Sequence, residues 1–162
     1  MALLKSLASS CFRRSLIIKP VFAKLNARQF GVAPCLMDKV LFTENHDYLN
    51  IAGKTAKLGI TDHAQKELGD VVYVDLPEAK EQALAKGDVA CSVESVKAVA
   101  EVYMPISGKV MAVNDKLNDF PGLVNSSPYD DGWLLEVEIT EPTELDGLMD
   151  EKAYESYLHS TD

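Results

Sequence analysis

Val89-Ala90-Cys91-Ser92-Val93-Glu94-Ser95-Val96-Lys97-Ala98-Val99-Ala100-Glu101-Val102-Tyr103 is the stretch on which the fold is decided. Val89–Val93 and Val99–Tyr103 are rich in β-branched and aromatic residues, the composition of strands. Lys97 is the only cation between Lys86 and Lys109, ten residues after Gly87 and eleven before Gly108. Two strands of similar length would put Lys97 at the far tip of a hairpin, with its aliphatic stem in solvent. No Gly, Asn or Pro stands at 96–98, so propensity also permits one continuous strand. A type I turn tolerates these residues, and the hairpin is allowed rather than demanded. On this stretch alone, Lys97 is either a solvated strand lysine or an acceptor held out on a tip.

Short strands surround it. Tyr48–Ile51 and Thr55–Ile60 flank the turn Ala52-Gly53-Lys54. Thr61 or Asp62 caps a short helix, with Gln65 placed to reach back to Asp62, Ala64 and Leu68 on its buried side and Gly69 as its stop. Val71–Leu76 and Lys109–Val113 read as strands, and Pro77–Lys86 as a polar connection. Asn118–Pro128, broken by Pro121-Gly122 and Ser127-Pro128, reads as a loop. Trp133, Leu135, Val137 and Ile139 alternate with Leu134, Glu136 and Glu138 as a half-buried strand. Thr143 with Asp146 caps one late helix, and Asp150 a second that carries Ala153, Tyr154, Tyr157 and Leu158 at helical spacing.

The 162 residues suit one domain of ordinary size. Charge is unevenly spread. Residues 1–30 hold six basic residues and no acid, and the rest hold ten basic and twenty-five acidic residues, a net of −15. Such a body repels nucleic acid and anionic lipid, so neither is an expected partner. No stretch reaches the ~18–20 apolar residues of a membrane span. The acid-free leader, rich in Arg, Lys, Ser, Ala and Leu, has the composition of a mitochondrial presequence, with Arg28-Gln29-Phe30 similar to a matrix-peptidase site. The expected organisation is 1–30 presequence, 31–37 disordered start of the mature chain, and 38–162 the folded domain, residing in the mitochondrial matrix.

Ordinary catalytic and metal patterns are missing from the sequence. His46, His63 and His159 have no ligand-like spacing, and Gly87 and Gly108 are isolated turn glycines rather than a phosphate loop. Cys91 reads as a buried structural thiol, Cys35 as a plain thiol in the leading segment, and Asp130-Asp131 as a solvated turn. With no nucleophile–base pair and no cofactor loop, a non-enzyme is expected.

Glu94-Ser95-Val96-Lys97-Ala98-Val99, followed by Pro105-Ile106-Ser107-Gly108-Lys109-Val110, resembles the lipoylation region of the glycine cleavage system H-protein family. Further segments in the same order resemble that family too: Thr43–Tyr48, Gly59–Gln65, Leu68–Pro77, Leu123–Tyr129 and Asp131–Leu134. The likeness covers roughly residues 41–158. It implies a mainly β fold, a flattened lipoyl-type β-sandwich (barrel-sandwich hybrid) with a short internal helix and C-terminal helices. It also implies lipoic acid in amide linkage on Lys97, and a shuttle for an aminomethyl group rather than a catalyst. Implied partners are a pyridoxal-phosphate glycine decarboxylase, a tetrahydrofolate-dependent aminomethyltransferase, dihydrolipoamide dehydrogenase and a lipoate-attaching enzyme; a mobile shuttle is expected to be a monomer. Positions matching the family's cleft around the loaded arm are Asn45, Asp47, Glu67 and Glu101, and Glu94 is a candidate for ligase recognition.

The chain departs from the family at three places. Pro77–Gln82 lacks the usual loop glycine and is one residue longer, Cys91 stands where glycine is frequent, and Met104 replaces a small polar residue. Alternatives are a biotin or lipoyl carrier domain of another complex, an unmodified scaffold derived from one, and a Schiff-base enzyme using Lys97. Val96 and Ala98 disfavour biotin, whose acceptor lysines are usually flanked by methionine. A tip lysine lacks the desolvation that would depress its pKa for a Schiff base.

Overall fold

The computed structural model describes residues 39–77 and 81–161. The leader, its cleavage site, the start of the mature chain, Cys35 and part of the extended loop (78–80) lie outside these.

Among the described residues, nine strands form two antiparallel sheets. The larger holds, in spatial order, β1 (Lys39–Phe42), β2 (Asp47–Ala52), β3 (Thr55–Ile60), β9 (Leu135–Ile139), β8 (Gly108–Val113) and β5 (Ala83–Leu84). The smaller holds β4 (Val71–Asp75), β6 (Val89–Ser95) and β7 (Val99–Tyr103). Their apolar faces share one core, in which Leu49, Leu58, Val93, Ile106, Val110, Leu134, Leu135 and Val137 are wholly buried. This is the expected flattened β-sandwich, its two sheets packed face to face on that core.

Local chemistry explains the corners. Gly53 turns β2 into β3 with φ +63°, a backbone conformation that costs glycine little. Directly across that hairpin Tyr48 pairs with Gly59, and a Cβ at Gly59 would lie 2.6 Å from the Tyr48 ring. The missing side chain makes room for the ring, whose hydroxyl donates to the Pro128 carbonyl at 2.6 Å. Helix α1 (Asp62–Leu68) starts at Thr61, whose Oγ1 accepts from the Ala64 N–H, while Gln65 reaches back to Asp62 at 2.9 Å. It ends where the Gly69 N–H donates to the Gln65 carbonyl. Gln65, not Ala64 or Leu68, is its buried residue; those two are half-buried at the edge of the core.

Several expectations are corrected. Asn118–Pro128 is not a plain loop: α2 (Lys116–Asp119) and α3 (Leu123–Ser126) bury Leu117 and Val124. Four residues make one turn, too short for a periodic apolar signal. The Pro77–Lys86 connection contains β5, whose two residues pair with β8. Strand β1 adds to the strands expected from the sequence; Phe42 ends it, bonded in both directions to Met149 (2.8 and 2.9 Å). Trp133 lies before β9, its ring under the Lys57 ammonium at 5.0 Å. Pro142–Gly147 is a 3₁₀ helix with no side-chain cap, so Thr143 and Asp146 do not cap it. Asp150 does cap α4 (Glu151–Thr161), its carboxylate accepting from the Ala153 N–H at 2.9 Å.

Candidate functional site

Lys97 stands at the tip of the β6–β7 hairpin, exposed, with the strands paired up to Glu94 and Val99. Ser95 builds the turn. Its hydroxyl accepts from the N–H groups of Lys97 (3.1 Å) and Ala98 (3.0 Å) and donates to the Ala98 carbonyl. A side-chain oxygen thus takes the place that a backbone carbonyl holds in an ordinary turn. That is why the tip needs neither glycine nor proline, and why propensity left the hairpin undecided.

The tip does not float free. The Val96 N–H donates to the Asp70 carbonyl at 3.1 Å. The Lys97 stem lies over Gly69, where a Cβ would meet Cε at 3.1 Å and Nζ at 3.2 Å. The expectation of a stem wholly in solvent is therefore corrected: one side rests on the α1–β4 corner. Asn125 locks that corner, accepting from the Val71 N–H and donating to the Gly69 carbonyl and to Gln65, each at 2.9 Å. Sequence reasoning missed both Ser95 and Asn125 as organisers. Their only signal was a hydroxyl two residues before the lysine and a short polar side chain in a breaker-rich segment.

Among the described residues no hydrogen bond or ion pair holds the Lys97 ammonium. The position suits an amide-linked arm, because the amine is accessible and its stem has a seat. Gly69 has φ +79° and ψ −157°, a region nearly reserved for glycine. Gly69→Ala is expected to destabilise the chain by ~1–3 kcal/mol and to push the lysine off its seat. Urea denaturation measures this; an unchanged midpoint would remove Gly69 from the platform.

The candidate cleft residues do not all converge. Asn45 and Asp47 line one cavity of about 340 Å³, together with Lys86, Tyr103, Met104 and the Gly147–Met149 segment. Glu101 is not on that wall. It faces outward on β7 beside a second cavity of about 500 Å³, with Asp75 and Cys91. Its carboxylate accepts from the hydroxyl of Tyr103, whose residue lines the first cavity. Glu67, exposed on α1, borders neither; its charge is felt by His46. Glu94 is half-buried, opposite Tyr73 on one side and Val99 on the other.

Asp47 is the unusual member. It is only 4% exposed, and Thr43 is the side chain that holds it: the Thr43 hydroxyl donates to the carboxylate at 3.2 Å and accepts from the Asp47 N–H. Burial pushes its carboxyl up to about 7, against a weaker opposing effect of the Thr43 bond. Cys91 is buried, as expected, and burial, helped by the charges of Asp47 and Asp75, pushes its thiol up to about 12. It is therefore held as the inert thiol. Met104, another of the three departures, follows the end of β7 farthest from the Lys97 tip, is 1% exposed and packs into the core.

A family model described as "Glycine cleavage H-protein" matches residues 40–161. The "Glycine cleavage system H protein" of Thermotoga maritima is 50% identical over 116 residues, 72% of this chain and 93% of that protein. The "Glycine cleavage system H protein, mitochondrial" of Flaveria pringlei is 42% identical over 157 residues, 97% of this chain and 94% of that protein. Among solved structures, a glycine cleavage system H protein from Mycobacterium marinum superposes with a TM-score of 0.66 at 29% identity, covering 78% of this chain and 98% of that one.

Proposed function

Because the chain belongs to the glycine cleavage H-protein family, we propose that Lys97 carries lipoic acid in amide linkage and that the chain serves as the shuttle for the aminomethyl group of glycine. The family acts as a carrier, not a catalyst. The observation that supports Lys97 is its place: exposed at a hairpin tip, stem seated on Gly69, ammonium unpaired among the described residues. When attached, lipoic acid supplies a disulfide–dithiol pair that accepts and releases the group.

The chain's own residues present and protect. Ser95 shapes the tip, Asn125 and Gly69 brace it, and the hairpin holds the lysine clear of the core. Tethering lets one site visit several enzymes at high effective concentration. We assign those visits to the glycine decarboxylase, the aminomethyltransferase and dihydrolipoamide dehydrogenase, with the chain acting as a monomer. The cavity beneath the Thr43–Asp47 turn is our candidate shelter for the cargo. An aminomethyl ammonium is hydrolysed in water, and Asp47 offers it a carboxylate in a recess that limits water, with Asn45 as acceptor beside it. Glu101 contributes charge from the adjoining surface through its link to Tyr103. Glu67 has the weakest case, being outside the recess.

Intact-mass and peptide-mass measurement on the native protein tests the assignment. A lipoyl increment on the peptide containing Lys97 is the expected result. A biotin increment, or none in a fully active sample, overturns it.

Glu94 is assigned to recognition by the lipoate-attaching enzyme, since it precedes the lysine by three residues on the outward face shared with Tyr73 and Val99. Glu94→Gln is expected to slow lipoylation several-fold at subsaturating protein. Equal rates would end that idea.

Residence in the mitochondrial matrix, with residues 1–30 removed on import, is likewise our proposal. The acid-free leader and the mitochondrial relatives support it. Import into isolated mitochondria followed by N-terminal sequencing checks it: full-length protein outside the matrix would refute the leader.

A further inference from the structure

The Thr43–Asp47 turn that brings Asn45 and Asp47 to the cavity is held from behind by the C-terminal helix. We infer that Tyr154, which does not line that cavity, is the positioning residue that keeps Asp47 aimed into it. The inference rests on the reading that Asp47 meets the ammonium of the cargo.

His46, next to Asp47, carries the weight of the argument. Its φ is +65°, the left-handed region that a side-chain-bearing residue rarely adopts. Such a conformation persists only where its surroundings over-determine it. Three bonds do so. The His46 N–H donates to the Thr43 carbonyl at 3.2 Å, its carbonyl accepts from the Thr61 N–H at 2.9 Å, and its ring Nδ1 lies 2.8 Å from the Tyr154 hydroxyl. The first closes the turn itself, and the second joins it to the cap of α1. The third is a side-chain bond and ties the turn to α4, 108 residues away.

Tyr154 is built to hold that bond. Its residue is 5% exposed, and its ring stacks on Phe42 with centroids 4.6 Å apart and planes 7° from parallel. Its hydroxyl also lies 3.0 Å from Oγ1 of Thr61, the fully buried cap of α1. One oxygen therefore joins the turn, the start of α1 and α4. A single hydroxyl proton suffices in either sense along the chain His46–Tyr154–Thr61, because each partner can donate or accept. The Phe42–Met149 bridge fixes the segment just before α4 to the strand just before the turn. The groups whose charge or polarity bears on Asp47 are Thr43 in its own turn, Cys91 of β6 and Tyr154 of α4, with Glu44 and Lys86 on the cavity wall.

Removing the hydroxyl alone keeps the ring stack and takes away the bond from α4 to the His46 ring. The turn can then relax from its left-handed conformation and swing Asp47 off line. The full-length chain, lipoylated and loaded, is compared with Tyr154→Phe, Asp47→Asn and the double variant, following release of formaldehyde and ammonia without the transferase. Tyr154→Phe is expected to release about fivefold faster, the effect of one ordinary hydrogen bond, while being lipoylated at the wild-type rate. If Tyr154 acts through Asp47, the double variant releases no faster than Asp47→Asn alone.

A second readout needs no cargo. In the unlipoylated chain, the Asp47 carboxyl is titrated by carbon NMR. Tyr154→Phe should move its midpoint down toward the ordinary aspartate range, as the turn opens to water. His46→Asn, whose side chain suits a left-handed backbone, cuts the same link from the turn side and should give both phenotypes. It also serves if Tyr154→Phe folds poorly.

Acceleration by Asp47→Asn with none by either linking variant, or additive effects in the double variant, overturns the role of Tyr154 and leaves the cavity reading standing. No acceleration by Asp47→Asn itself overturns the cavity reading and this inference with it. An unmoved Asp47 midpoint in both linking variants overturns the positioning role whatever the release rates.

Discussion

Glycine cleavage reconstituted with a Lys97→Arg chain is expected to show no aminomethyl transfer, with the fold intact. Arginine preserves the positive charge and nearly the length of the side chain. Its guanidinium, however, is delocalised and does not form the lipoyl amide, so the substitution removes only the chemistry of attachment. The exposed lysine rests its stem against Gly69, which an arginine stem can do as well. Stability should therefore change by no more than ~0.5 kcal/mol. Activity in the reconstituted system and a thermal melt read the two halves. Any restored transfer by the variant would falsify the assignment of the acceptor.

The second large effect is expected at Asp47, with two opposite signs. Asp47→Asn should be lipoylated normally but should lose its cargo faster. A partly buried carboxylate paired with an ammonium contributes ~1–3 kcal/mol, which corresponds to release roughly 5- to 150-fold faster. Glu101→Gln should act in the same direction but less, since Glu101 lies on exposed surface outside the recess. If neither variant releases formaldehyde and ammonia faster than wild type, shelter comes from steric shielding alone.

Stability should move the other way. Burial raises the Asp47 carboxyl from 3.8 to about 7 in the folded chain. Between these values the folded chain holds a proton that the unfolded chain has released, so stability falls as pH rises through the window. The contribution of the neutral carboxyl is fully present below about pH 4 and lost above about pH 7, a change on the order of 4 kcal/mol. Asp47→Asn has no such proton. Urea unfolding at pH 5 and pH 8 should show wild type weakening more than the variant, which becomes the more stable of the two at pH 8. Identical pH dependence in both would mean that Asp47 titrates as an ordinary surface acid. A carboxylate that lowers the stability of its own fold at neutral pH is what a cation-binding role leads one to expect.

How much of this was legible in the residues depended on range. Leu135–Ile139 is legible as a strand because a two-residue period on a half-buried sheet is a local property, and Val71–Asp75 and Val99–Tyr103 through their β-branched and aromatic composition. The capping of α1 by Thr61, Gln65 and Gly69 was equally local. So was the isolation of Lys97 as the single cation in its stretch. The order of motifs around it carried the family, and with it the sandwich. Strand β1 and the one-turn helices α2 and α3 were not legible, since four residues hold too little pattern to outweigh loop signals.

What only the tertiary structure decided is everything that joins distant segments. Ser95 could be seen beside the lysine, but not that its hydroxyl would close the turn and so choose hairpin over continuous strand. The seat of Lys97 needed Gly69 from the end of a helix and Asn125 from another helix 56 residues further along. Four acidic or polar positions matched one cleft by resemblance. Packing brought Asn45 and Asp47 to one wall, put Glu101 round the corner, and left Glu67 outside. A sequence records that Asp47 is an aspartate. Its burial, and hence the rise of its carboxyl toward neutrality, is imposed by water that the rest of the fold excludes.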